Sequence, residues 1–79
     1  MIEKNTIQMA QVVLSKSVNS RTHLVSYADI TNQVNVPVSK VREVANQICK
    51  VLLTIPIVDD VDITDDCFDI MLKRRTARV

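Results

Sequence analysis

The chain of 79 residues contains no glycine. Every tight turn must therefore be made without the residue that enters left-handed backbone at no steric cost, and Asn and Asp are the expected substitutes. Cysteine is nearly as scarce. Cys49 and Cys67 are too few and too far apart in sequence to form a zinc-binding set, and the single histidine, His23, does not complete one. Both cysteines are expected as reduced thiols, one facing the core and one on a strand. No apolar run approaches the roughly 20 residues that cross a bilayer. The opening residues MIEKNTIQMA lack the basic-then-apolar order of a signal peptide, so a cytoplasmic protein without membrane contact is expected. A paired nucleophile and base, a phosphate-binding loop and a metal-ligand set are all missing, which argues against an enzyme and against any cofactor. His23 has no suitable partner nearby in sequence and reads as a solvated loop residue.

What the chain does hold is apolar side chains, 47% of the total, enough for one small core and hence a single domain over residues 1–79. Its formal net charge of +1 hides an asymmetry. Up to Thr54 the bases Lys4, Lys16, Arg21, Lys40, Arg42 and Lys50 outnumber Glu3, Asp29 and Glu43. From Ile55 to Leu72 there are aspartates and no base, and the tail then adds Lys73, Arg74, Arg75 and Arg78. A nucleic-acid reader is usually more basic than this, which weighs against strong non-specific binding.

The periodicity of the first segment predicts a helix from Glu3 to Val18, with Ile7, Ala10, Val13, Leu14 and Val18 on its core side, Met9 at the margin and Val12 outside. Val12 and Met9 would leave a strip for a partner subunit. Asn19 and Ser20 should end the helix, and Leu24 and Val25 should form a short extended piece. A second helix starts at Ser26 or Tyr27, where Tyr27 is expected to pin the helix start with its ring and hydroxyl.

From Ser26 to Leu52 two helical patterns meet at a break made by Asn35, Val36 and Pro37. Ile30 and Val34 lie one turn apart on the first pattern, and Val41, Val44, Ala45, Ile48 and Leu52 follow i, i+3, i+4, i+7, i+11 on the second. Pro37 cannot continue the first helix and suits the opening of the next. The outward side of that second helix holds Val38, Ser39, Arg42, Glu43, Asn46 and Gln47, with Lys40 and Lys50 at its borders. These types suit base edges, since Arg bonds guanine bidentately and Asn or Gln bonds adenine. Glu43 would cost affinity unless it accepts from cytosine or pairs with Lys40 or Lys50.

After Thr54 the period changes to two. Ile55, Ile57, Val61 and Ile63 alternate with Pro56, Val58, Asp60, Asp62 and Thr64, and Phe68, Ile70 and Leu72 alternate with Cys67, Asp69, Met71 and Lys73, with Thr64-Asp65-Asp66 as the turn between them. This favours a β-hairpin. The competing reading of residues 64–75 is a helix capped by Thr64, with acid in its first turn and base in its last. The acidic run lacks the glycine and closing glutamate of a calcium loop, so it reads as a repelling hairpin that avoids phosphates and is free to meet a basic protein partner or a second subunit.

The two helices joined by this proline-marked corner resemble the helix-turn-helix of the winged-helix DNA-binding superfamily, with Thr31, Asn35, Val36, Val41 and Val44 at the places that family uses for packing and turning. Thr31 and Asn35 depart from its commoner alanine and glycine. The resemblance implies a mainly α fold with a small β-hairpin, a winged helix-turn-helix. It further implies a homodimer on double-stranded DNA that regulates transcription, contacting it through Ser39, Lys40, Arg42, Asn46, Gln47, Lys50, Lys73, Arg74 and Arg75. A winged-helix module that binds protein and not DNA is the rival expectation. The order LVSYADI, VPVSKVREVANQI, IPI is also similar to the DNA-binding half of the alkylguanine-DNA alkyltransferases. Their reactive cysteine is absent, for the proline-centred stretch reads Ile55, Pro56, Ile57, Val58.

Overall fold

The computed structural model describes residues 3–73. Among them lie four helices and one three-stranded antiparallel sheet, in the order α1 (Lys4–Ser20), β1 (Leu24–Ser26), α2 (Tyr27–Gln33), α3 (Val38–Glu43), α4 (Ala45–Leu53), β2 (Val58–Ile63) and β3 (Cys67–Leu72). The sheet order is β1-β3-β2, so the last strand runs between the other two. The competing helix over residues 64–75 is not formed, because β3 occupies its middle. The expected hairpin is too small by one strand: Leu24, Val25 and Ser26 pair with Asp69, Phe68 and Cys67. That pairing joins residues distant in sequence, so no local pattern announced it.

The core lies between one face of the sheet and the helices. Phe68 and Ile70 of β3, Val25 of β1 and Val58 and Val61 of β2 meet Ile30, Val41, Val44, Ala45, Ile48 and Leu52, all buried. Burying each of these side chains larger than Ala45 contributes about 1.5–3 kcal/mol before the entropy of ordering is subtracted. In β2 the alternation read from sequence holds at Val61, which is buried, and fails at the strand's two ends. Val58 is buried, whereas Ile57, just before the strand, and Ile63, its last residue beside the turn, are exposed. The ladder shifts between Val58 and Asp60, and the extra residue of this bulge turns the side chains before it to the opposite face.

Helix α1 is rotated from the side its hydropathy suggests. Thr6, Met9, Ala10, Val13 and Ser17 face inward at i, i+3, i+4, i+7 and i+11, while Ile7 and Val18 are exposed and Leu14 is only partly buried. Two small polar residues take the ends of the inward stripe, and Ser17 is tolerated there because its hydroxyl donates to the Thr22 carbonyl at 2.8 Å. The helix ends at Ser20, as expected, and the residue that closes it is the one after. Arg21 caps it at φ 52° and ψ 37°, the one positive φ among the described non-glycine residues.

Ser26 caps α2 by accepting from the Asp29 N–H at 3.2 Å. Thr31 tucks its hydroxyl onto the Ala28 carbonyl at 2.9 Å. Residues Asn35–Pro37 make the corner with no left-handed residue, and Pro37 caps α3 in extended backbone at φ −72° and ψ 157°. The single long helix expected after it is broken at Val44, whose φ of −104° and ψ of 11° leave the helical region. Val44 still donates to Lys40 at 3.1 Å and accepts from Ile48 at 2.9 Å, so α3 and α4 join without a loop. The five apolar positions of this stretch are all buried despite the break.

Candidate nucleic-acid interface

With Val41 fully buried behind it, α3 turns Val38, Ser39, Arg42 and Glu43 outward, and Lys40 sits at its edge, partly covered. Asn46, Gln47 and Lys50 are exposed on α4, and Lys73 is exposed just after β3. Arg74 and Arg75 lie outside the described residues. Ser39 and Arg42 therefore share one short helix, and Asn46, Gln47 and Lys50 stand beyond the break at Val44. The apolar periodicity alone places them all on one rod.

Both cations of α3 are engaged by carboxylates. The Lys40 ammonium lies 3.2 Å from Glu3 and 3.3 Å from Glu43, one of the two partners expected for Glu43. Lys40 is held above its ordinary pKa, first by the hydrogen bond to Glu3 and then by that to Glu43. Glu3 precedes α1 and makes no side-chain cap on it. Arg42 donates from Nη2 to Asp66 Oδ1 at 2.9 Å, across 24 residues of sequence. Neither Glu3 nor Asp66 could be found from spacing, since both contacts depend on tertiary folding. The only sequence signal was general, an acidic run following a basic stretch.

Asp66 is placed from behind. Its carbonyl accepts from the Tyr27 N–H at 2.8 Å, and the turn that carries it is closed by Thr64, whose N–H and hydroxyl both donate to the Cys67 carbonyl, at 2.9 and 3.1 Å. Tyr27 itself is buried, with its ring 5.2 Å from that of Phe68. Burial raises the Tyr27 phenol above its ordinary pKa, while the nearby Arg42 charge pulls it down. The hairpin turn, the start of α2 and the outward face of α3 thus meet around one aspartate.

The outer face of the sheet is acidic. Asp62 stands directly across from Asp69, and Asp60 across from Met71. Like charges opposed on a ladder destabilise it by a few tenths of a kcal/mol or more. His23 is exposed in its loop as expected, and its Nδ1 lies 3.0 Å from Asp69 Oδ1, a partner 46 residues away. Both cysteines are free and partly buried, and Cys49 is held above the usual thiol pKa, mainly by burial and then by Asp62 and Asp60. Among the described residues no group of three His, Cys, Asp or Glu is arranged to hold a metal ion, and no helix is long and apolar enough to cross a membrane. An open groove of about 600 Å³ between α1 and the end of α2 is lined by amides, hydroxyls, Val12, Val34 and Lys16, with no carboxylate, thiol or imidazole to act as an acid or base.

Comparison with protein-family models, with curated proteins and with solved structures gives no match.

Proposed function

We propose that this chain is a winged helix-turn-helix domain that binds double-stranded DNA as a transcriptional regulator, and does so as a homodimer on a two-part site. The helices, the corner at Asn35–Pro37 and the β1-β3-β2 sheet follow the order of that architecture, with α2 bracing α3 and the β2–β3 hairpin as the wing. One observation carries the reading: directly after the proline corner, α3 exposes Ser39 and Arg42 while Val41 anchors it from behind. In a helix-turn-helix the first residues of the second helix reach the base edges, so a helix as short as α3 suffices. Arg42 is the guanine reader and Ser39 its neighbour on the same groove floor. Asn46 and Gln47 lie further along, and Lys40, Lys50 and Lys73 are the phosphate contacts, joined by Arg74 and Arg75. A module this small gains enough half-site contact only when doubled.

A second reading, a winged-helix module that binds protein, is favoured by the carboxylates on Lys40 and Arg42. Of the 10 Lys and Arg, three follow Lys73 in the tail, and those before it are outnumbered by the 9 Asp and Glu. The acidic hairpin would then meet a basic partner. Selection of bound sequences from random DNA, followed by anisotropy titrations at several salt concentrations and a mass measurement in solution, separates the two. The regulator binds a selected site with affinity that falls steeply with salt, by about 0.9 log units per log unit of salt for each phosphate neutralised. Arg42→Ala then costs roughly 1–3 kcal/mol at that site. A protein that binds no duplex even at low salt is the interaction module.

A further inference from the structure

We infer that Asp66 is a specificity-determining residue: fixed beside Arg42 by the turn that carries it, it repels phosphate from the guanidinium and leaves Arg42 free to exchange the carboxylate only for a neutral base edge. The inference rests on the DNA-binding reading and adds to it a reason for an acidic wing.

The contact is displaceable. At 2.9 Å it is a hydrogen-bonded ion pair, but the two side chains are 63% and 70% exposed. Exposed pairs of this kind contribute little, because water and salt screen them. The backbone that carries the charge is held more firmly. The Asp66 carbonyl is tied to the first N–H of α2, and Thr64 closes the turn onto Cys67. Breaking the ion pair therefore leaves the carboxylate close by. A phosphate that takes its place brings a second negative charge against the first. A guanine edge brings O6 and N7, two acceptors with no net charge, and meets no such repulsion. The same aspartate thus costs phosphate contact more than base contact, which is how an interface gains selectivity by penalising the wrong partner.

The test is anisotropy titration of a random-sequence DNA duplex with the wild-type chain, Asp66→Asn, Asp65→Asn and the double variant Asp66→Asn with Arg42→Ala. Asp65 is exposed on the same turn, so its variant removes an equal charge without touching the Arg42 contact. Asp66→Asn keeps the carbonyl that holds Tyr27, and Asp66→Ser repeats the test should the asparagine variant not fold. Asp66→Asn is expected to bind the random duplex roughly threefold more tightly, the size of one exposed ion pair. Its salt dependence steepens by about 0.9, one further phosphate. Asp65→Asn changes less, and Arg42→Ala abolishes the gain. Wild-type and Asp66→Asn proteins that bind the duplex equally overturn the inference and leave the DNA-binding reading standing. An equal gain from Asp65→Asn overturns it as well, since the contact would then be irrelevant. Absence of binding by every protein at low salt overturns the inference together with the reading beneath it.

Discussion

The ring of Tyr27 is inclined at 46° to that of Phe68, with centroids 5.2 Å apart and both side chains buried. The pair joins the first residue of α2 to the central strand, and these are the chain's only aromatic rings apart from the imidazole of His23. Tilted aromatic pairs contribute about 0.5–1.5 kcal/mol beyond the area they bury. Phe68→Leu is therefore expected to destabilise by about 1–2 kcal/mol and to lower the urea midpoint accordingly. Phe68→Ala, which adds a cavity, costs about 3–5 kcal/mol. A domain of this length has only about 4–12 kcal/mol in total, so the alanine variant stands near the edge of folding. A neutral Phe68→Leu would remove the ring pair as a source of stability.

Tyr27 offers a pH readout free of interference, because the chain has one tyrosine and no tryptophan. Burial holds its phenol above the ordinary value of 10.0. An acid whose folded pKa exceeds its unfolded pKa keeps more protons when folded. Its stabilising contribution is therefore complete below about pH 10 and is lost as pH rises through the folded value. Phenolate absorbance should show a midpoint above that of the urea-unfolded chain, and Tyr27→Phe should remove part of the alkaline loss of stability. A midpoint equal to that of the unfolded chain would contradict the assignment.

Legibility in the sequence tracked the distance over which each feature is determined. The corner at Pro37 and the burial of Val41, Val44, Ala45, Ile48 and Leu52 come from residues within a few turns of one another, and the sequence pattern contains them. The inward side of β3 is legible for the same reason, since Phe68 and Ile70 alternate without interruption. The Arg42–Asp66 and His23–Asp69 contacts span 24 and 46 residues, and β1 pairs with β3 across a similar gap. No spacing encodes those. The bulge before Asp60 and the break at Val44 are single-residue departures that turn Val58 inward and divide one helix into two, and apolar periodicity is blind to them.

Helix α1 shows the cost of reading hydropathy alone, and Thr6 makes it measurable. Its hydroxyl is fully buried and has no hydrogen-bond partner among the described residues. A buried hydroxyl without a partner forfeits its hydration with no return, typically about 1–3 kcal/mol. Thr6→Val keeps the shape and removes the polar atom, and should stabilise by about 1 kcal/mol in urea titration. Ile7→Ala, one position along on the exposed side, should change stability by less than about 1 kcal/mol, whereas Met9→Ala should cost about 2–5 kcal/mol. A destabilised Thr6→Val would mean that the hydroxyl is bonded after all.

Arg21 is the strongest consequence of a chain without glycine. It closes α1 at φ 52°, in the left-handed region, where an ordinary L-residue is strained by about 1–2 kcal/mol because its Cβ crowds the following carbonyl. Helices commonly hand that position to glycine. Arg21→Gly relieves the crowding and gives back about 0.5–1 kcal/mol through the greater freedom of the unfolded chain. The net expected gain is about 0.5–1 kcal/mol, a rise of roughly 3–6 °C in melting temperature for a domain of this size. Arg21→Val, branched at Cβ, should fall in the opposite direction. Equal melting temperatures for the glycine and valine variants would mean that the residue leaves the left-handed region in solution.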